Sequence, residues 1–266
     1  MVDNGLSQVG TPRLPAPGSA EQFLLFREWI RVCEKAHEHD GHDANDTTSG
    51  VSERMKDLPT RVVDVGDDTN HYLRLVKRED MVSPIYIALS HRWGDDPQQH
   101  LGRTLRTNHI RRYGSIDEDE LPLNFKDAIT VARGVGVQYI WIDSLCIIQD
   151  DDADWNVESV RMEQVYSNAQ CVLAASSAGS SMDGFLHRSD PYRPYLVLES
   201  QSGGISYLCR NIDNFQGDVD EATLNTRGWT LQERALARRT IHFTHNQVYF
   251  ECGEGVHCES LLRLTK

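Results

Sequence analysis

Residues 137–155 read Val-Gln-Tyr-Ile-Trp-Ile-Asp-Ser-Leu-Cys-Ile-Ile-Gln-Asp-Asp-Asp-Ala-Asp-Trp. An apolar run passes directly into an acidic cluster, and one carboxylate, Asp143, stands inside the apolar run. A run this short and this apolar fits a strand covered on both faces, as in a parallel sheet. In open α/β sheets ligands gather outside the carboxyl ends of the strands. The stretch therefore predicts both an architecture and the place where chemistry sits.

The neighbouring segments extend the pattern in both directions. Upstream, Asn124 is expected to cap a helix running to Arg133, with Phe125, Ala128, Ile129 and Ala132 on one face and Gly134 or Gly136 as its stop. Before it, Ile85-Tyr-Ile-Ala-Leu-Ser90 reads as a strand that ends in the polar loop His91-Arg-Trp-Gly-Asp-Asp96. Downstream, the acids at 150–154 suit the positive end of a helix over 155–169. Its predicted inner face is Trp155, Ser159, Met162, Val165, Tyr166 and Ala169. Cys171-Val-Leu-Ala-Ala175 follows as another apolar strand. The order from residue 85 is strand, helix, strand, helix, strand, which predicts an α/β fold with a parallel sheet and right-handed crossovers.

Residues 1–18, rich in Pro, Gly and Ser, read as a flexible lead-in, and residues 19–266 as one domain with its core over about 84–253. Ser19 and Gln22 have the spacing of a capping box. Phe23, Phe26, Ile30 and Cys33 then repeat at helical spacing, flanked by Leu25, Trp29 and Val32. Residues 37–50 read as a polar loop. Residues 58–65 and 72–76 read as an antiparallel strand pair around a turn at 66–70, an appendage ahead of the sheet. Residues 103–119 form a charged connection, and 176–224 an irregular insertion with short strands at 195–198 and 205–209. A helix over 229–239, opened by Thr226, leads to a hairpin of 240–244 and 248–251 around His245-Asn246. Whether the natural chain extends past Lys266 stays open.

The chain has 266 residues, is 39% hydrophobic and 25% charged, and carries a net charge of −13. That balance argues against nucleic acid as a main partner, since phosphate binding needs a basic surface. Residues 227–239, with four arginines, remain a local basic patch. No apolar stretch approaches the length of a membrane span, and the N-terminus lacks the pattern of a secretory signal. The cysteines at 33, 146, 171, 209, 252 and 258 form no disulfide framework, and Cys146 and Cys171 read as buried thiols. A reducing, cytoplasmic setting is the simplest expectation.

Four blocks carry a family resemblance. They are Leu58-Pro-Thr-Arg-Val-Val-Asp-Val-Gly66, Tyr86-Ile-Ala-Leu-Ser-His-Arg-Trp-Gly94, the opening stretch through Gln149-Asp150-Asp151, and Thr226-Arg-Gly-Trp-Thr-Leu-Gln-Glu-Arg234. In this order, with Met162-Glu-Gln-Val-Tyr-Ser-Asn-Ala169, they resemble the fungal heterokaryon-incompatibility (HET) domain family over about residues 22–253. The resemblance implies a part in non-self recognition and programmed cell death. It also implies a TIR-like, flavodoxin-like sheet, because the family is regarded as a divergent relative of TIR domains. Some TIR domains signal by self-association, and others hydrolyse NAD with a helix-borne glutamate. In that likeness Leu89-Ser-His-Arg-Trp93 stands at the first loop. Trp229-Thr-Leu-Gln-Glu233 keeps the spacing of the TIR Trp-Cys-x-x-Glu run, with Thr230 in the place of the cysteine.

The candidate site follows from that likeness and from the chemistry. Cleavage of a nicotinamide–ribose bond builds positive charge on the ribose, and a nearby carboxylate stabilises it. Glu233 is the candidate for that carboxylate; the alternative is a surface ion pair with Arg227, Arg234 or Arg238. Ser90, Arg92 and Gly94 are candidates for cradling a pyrophosphate; the alternative is a turn in which Arg92 pairs with Asp95 or Asp143. Trp93 and Trp229 are candidates for stacking on a ring, or else core residues. Asp143 is expected in a buried strand, organising the pocket with Arg92 or Ser90 as partner. Cys33, His37, His39 and His42 resemble half of a zinc site, Cys252, His257 and Cys258 another, or the two could combine, but neither has paired Cys-x-x-Cys spacing; a divalent-cation site at residues 150–154 is the lesser reading beside a helix start. The expectation is no metal and no cofactor, with NAD as substrate, and as partners a second copy of the domain and an upstream recognition module. The rival expectation is a non-catalytic module that acts by oligomerising.

Overall fold

The computed structural model describes residues 13–37, 58–66, 72–96, 100–188, 195–199, 205–209, 212–226 and 228–260. Helix α1 (Ala20–His37) starts where the Ser19 hydroxyl accepts the Gln22 amide at 3.2 Å. Gln22 reaches back to accept the Gly18 amide at 2.7 Å, one residue earlier than in a regular capping box. Strands β1 (Arg61–Asp64) and β2 (Arg74–Lys77) pair antiparallel. They are no appendage: β1 also pairs antiparallel with strand β4, so the pair extends the main sheet.

The predicted alternation follows. Strand β3 (Tyr86–Ser90) leads through a short helix α2 (His109–Gly114) to helix α3 (Leu123–Val135) and strand β4 (Tyr139–Trp141). A single helical turn, α4 (Asp143–Cys146), separates β4 from helix α5 (Asp152–Asn168), which is followed by strand β5 (Cys171–Ala174). Strands β6 (Tyr195–Glu199) and β7 (Ile205–Cys209) make a separate antiparallel pair. Helix α6 (Gly228–Leu236) then returns the chain to strand β8 (Arg239–Phe243), with β9 (Val248–Cys252) and β10 (Gly255–Cys258) as antiparallel neighbours.

The main sheet has eight strands in the order β10-β9-β8-β5-β3-β4-β1-β2. Its centre, β8-β5-β3-β4, is parallel. Counting β3 as first, the parallel strands lie in the order 2-1-3-4, that of flavodoxin-like doubly wound sheets, whose switch point falls between the first and third strands. Here that point lies between β3 and β5.

Helices cover both faces. On one, α1 packs Phe26 edge-on to Phe243 at 5.7 Å, and Arg27 bonds the Gly134 carbonyl at the end of α3. On the other, the Tyr86 hydroxyl donates to the Val165 carbonyl of α5 at 2.7 Å, and Tyr166 meets Trp141 edge to face at 5.6 Å. Ile87, Leu89, Ile140, Ile142 and Leu173 are all buried between these layers. Each such side chain contributes about 1.5–3 kcal/mol of transfer free energy, which explains why this stretch of sequence was so apolar.

Several local expectations are corrected. Asn124 does not cap α3; Pro122 stands at the N-cap, and the buried Asn124 side chain donates to the Ser180 carbonyl at 3.1 Å. Gly136, with φ +80°, ends the helix in the left-handed conformation that glycine adopts freely. Helix α6 stops at Leu236, short of residue 239, because Arg239 is taken into β8. On α5, Trp155 is half exposed while Glu158 is buried, drawn in by Arg61 of β1 at 3.7 Å. Helix α2 and strand β10 were not anticipated: six and four residues give too few periods to register. The histidines His39 and His42 lie outside the described residues, as does the His37 side chain. Among the described residues, no group of three or more His, Cys, Asp or Glu is disposed to hold a metal, and no helix is long and apolar enough to cross a membrane.

Candidate active site

The site forms where β3 ends at the switch point. Successive residues of a strand point to opposite faces, so Ser90 and His91 part company. Ser90 turns toward α6 and donates its hydroxyl proton to the Glu233 carboxylate at 2.5 Å. His91 turns toward α3 and sets its ring edge-on to Phe125 at 5.1 Å. Glu233 is only 6% exposed, and Ser90 3%. Glu233 is thus buried and not on a solvated face. Arg234 instead turns to Glu251, bonding both carboxylate oxygens at 2.8 and 3.0 Å, and to Asp220 at 2.8 Å.

Asp143 occupies a different position from the one expected. It begins α4 rather than lying within a strand, because β4 ends at Trp141, and its side chain is 18% exposed. Its partners are neither Arg92 nor Ser90. The Trp93 indole N–H donates to Oδ2 at 2.9 Å, and the Ser144 amide and hydroxyl donate to Oδ1 at 2.6 and 2.9 Å. His91 Nδ1 lies 3.9 Å from Oδ1. The end of β3 and the loop after it therefore contact two carboxylates separately, Glu233 through Ser90 and Asp143 through Trp93.

Arg92 pairs with Asp95 at 3.3 Å, and Asp95 is almost fully exposed. An exposed pair of this kind contributes at most about 1 kcal/mol, so the guanidinium is available to a stronger anion. Gly94 has φ +98°, a backbone conformation costly for a residue with a Cβ, and its carbonyl accepts from His100 Nε2 at 3.0 Å when that nitrogen is protonated. Trp229 lies in α6 next to the Glu233 turn, but its side chain is outside what the structure describes. The structure thus pairs Ser90 with Glu233 and Trp93 with Asp143, sets Arg92 against Asp95, and does not describe the ring of Trp229.

Sequence reasoning missed the second polar layer behind Glu233. His242 of β8 and Glu251 of β9 share a face of the sheet, and His242 Nε2 lies 3.1 Å from Glu251 Oε2. Burial alone would raise the Glu251 carboxyl, but His242 and Arg234 together outweigh it and hold it at about 2. Burial pushes the His242 imidazole below its ordinary range, against the pull of Glu251. The sequence signal was faint: alternate residues Thr240 and His242 are polar in a strand otherwise made for the core.

A cavity of about 10 Å³ lies beside these groups, lined by Ser90, Asn225, Thr230, Thr240 and His242 among others. Thr230 Oγ1 and His242 Nδ1 are buried and have no hydrogen-bond partner among the described residues. A space of this size is that of a single water molecule. An open cleft of about 370 Å³ runs along the other side of Arg234, bounded by Arg238, Glu251 and Cys252.

A carboxylate that accepts from a serine, beside a water-sized polar cavity, is suited to stabilising a developing cation and to admitting a water nucleophile. The family model described as Heterokaryon incompatibility protein (HET) matches residues 86–233, from the first residue of β3 through Glu233. No curated protein and no solved structure matches the chain.

Proposed function

The chain belongs to the heterokaryon incompatibility family and has its role in heterokaryon incompatibility, and from that premise we propose that it is a cytoplasmic cell-death effector domain that hydrolyses NAD to nicotinamide and ADP-ribose upon self-association. The observation that carries this reading is the Ser90–Glu233 hydrogen bond at the switch point of the sheet. It puts a buried carboxylate where a doubly wound sheet receives its ligands.

In this reading the Glu233 carboxylate faces the ribose carbon as the N-glycosidic bond breaks. Nicotinamide leaves as a neutral base, taking the bonding electron pair to its ring nitrogen. The oxocarbenium-like cation is stabilised by Glu233 and captured by water, which loses a proton and leaves ADP-ribose. Ser90 orients the carboxylate, Arg92 exchanges Asp95 for a phosphate, and Trp93 and Trp229 flank a ring. Asp143 fixes Trp93 by its hydrogen bond. NAD enters as substrate, and no cofactor or metal is called for.

One observation favours a second reading, a non-catalytic module that acts by oligomerising. The cavity lined by Ser90, Thr230 and His242 is about 10 Å³, too small for a nicotinamide riboside as it stands. The discriminating experiment incubates the purified domain with NAD across protein concentrations. Nicotinamide release and assembly are followed together in the wild type and in Glu233→Gln. Release that rises with assembly and is lost in the variant supports the hydrolase. Assembly without release supports the module.

A further inference from the structure

Two cysteines outside the site meet across the α1–sheet interface. Trp29 of α1 stacks on Phe250 of β9, ring centroids 5.8 Å apart. Cys33 lies four residues further along α1, and Cys252 two residues further along β9 on the same face. Four helical residues advance about 6 Å and two strand residues about 6.7 Å, so the two registers stay matched over this distance. Arg239 supplies the second marker. It is the cross-strand partner of Cys252, and its Nε donates to Cys33 Sγ at 3.1 Å. Matched registers and the shared Arg239 bring the two thiols to the same point of the interface, where Cys252 acts on the Cys33 thiol.

Their environments differ. Cys33 is buried, whereas Cys252 is partly exposed and borders the open cleft beside Arg234. Cys252 and burial push the Cys33 thiol up, against the pull of Arg239. Cys33 therefore holds its proton more tightly, and Cys252, on the cleft, is the sulfur that meets small reagents. Cys146 and Cys171 are fully enclosed, and burial pushes each up to about 12, which leaves them inert.

We propose that Cys33 and Cys252 form a dithiol that reacts with hydroperoxides and closes to a disulfide tying α1 to β9. The Cys252 thiolate attacks the peroxide, the O–O bond breaks, and a sulfenic acid forms with release of water or an alcohol. Cys33 sulfur then attacks the sulfenic sulfur, the S–S bond forms, and the hydroxyl leaves as water with the Cys33 proton. Two thiols are oxidised, one peroxide is reduced, and Arg239, bonded to Cys33 Sγ, steadies the negative charge that develops there as the proton is lost. The resulting bond fastens α1 directly to β9, the strand that carries Glu251.

The test treats the full chain with hydrogen peroxide, blocks remaining thiols by alkylation, and maps non-reduced peptides by mass spectrometry. The expected result is a cross-linked peptide pair containing Cys33 and Cys252, released by dithiothreitol, with a raised melting temperature. In Cys33→Ser, Cys252 is expected to persist as a sulfenic acid trapped by dimedone. In Cys252→Ser neither product is expected. A different pairing overturns the proposal, as does retention of both thiols in peroxide that fully oxidises free glutathione. None of these readouts depends on NAD cleavage.

Discussion

The Ser90 hydroxyl donates to the Glu233 carboxylate at 2.5 Å, joining the end of β3 to α6 across 143 residues of sequence. Both side chains are buried, so the bond is protected from competing water. Ser90→Ala removes a donor to a buried carboxyl group and is expected to lower stability by about 1–3 kcal/mol. Urea denaturation checks this; an unchanged midpoint would mean that Glu233 is held elsewhere.

Asp143 holds Trp93 through the indole N–H and holds the first turn of α4 through Ser144. Asp143→Asn keeps one acceptor for the indole and is expected to preserve the loop. Asp143→Ala is expected to release Trp93, seen as a red-shifted tryptophan emission and faster amide exchange at 91–94. An identical spectrum for the alanine variant counts against the tie.

Arg61 of β1 is the structural counterpart to the site. It bonds the Cys146 carbonyl at 2.7 Å and Asp154 at 2.7 Å, and lies 3.7 Å from the buried Glu158. Arg61→Ala leaves those carboxylates without their shared cation, and the expected loss is about 3–5 kcal/mol. Glu120→Ala, which breaks the exposed pair with Arg111, is expected to cost under about 1 kcal/mol. Thermal melts of the two variants side by side test the contrast.

The Glu251–His242 pair predicts acid sensitivity. Glu251 is held at about 2, below its ordinary 4.5, so its contribution is complete above the ordinary carboxyl range and is lost as pH falls toward about 2. His242, lowered chiefly by burial, acts in the same direction from its ordinary 6.5 downward, because the unfolded chain takes up the proton first. Urea midpoints measured from neutral pH into the acid range are expected to fall, and to fall less steeply in Glu251→Gln.

Much of this arrangement was legible in the chain. The apolar runs ending at Ser90, Trp141 and Ala174 gave the parallel core, because a strand buried on both faces has few polar choices. Glu233 was legible through its spacing from Trp229 and its place in a family block. The partner of Asp143 was not, because residues 93 and 143 meet only once β3 and β4 are aligned. The His242–Glu251–Arg234 cluster was hidden for the same reason: its members are brought together by sheet register and a helix return, neither of which leaves a local period.

Nicotinamide release by the purified, assembled domain tests the central claim most directly. The account predicts release from wild type and its loss in Glu233→Gln, a variant that keeps an acceptor for Ser90 and so keeps the fold. Equal release from the two proteins, or none from assembled wild type, would contradict it.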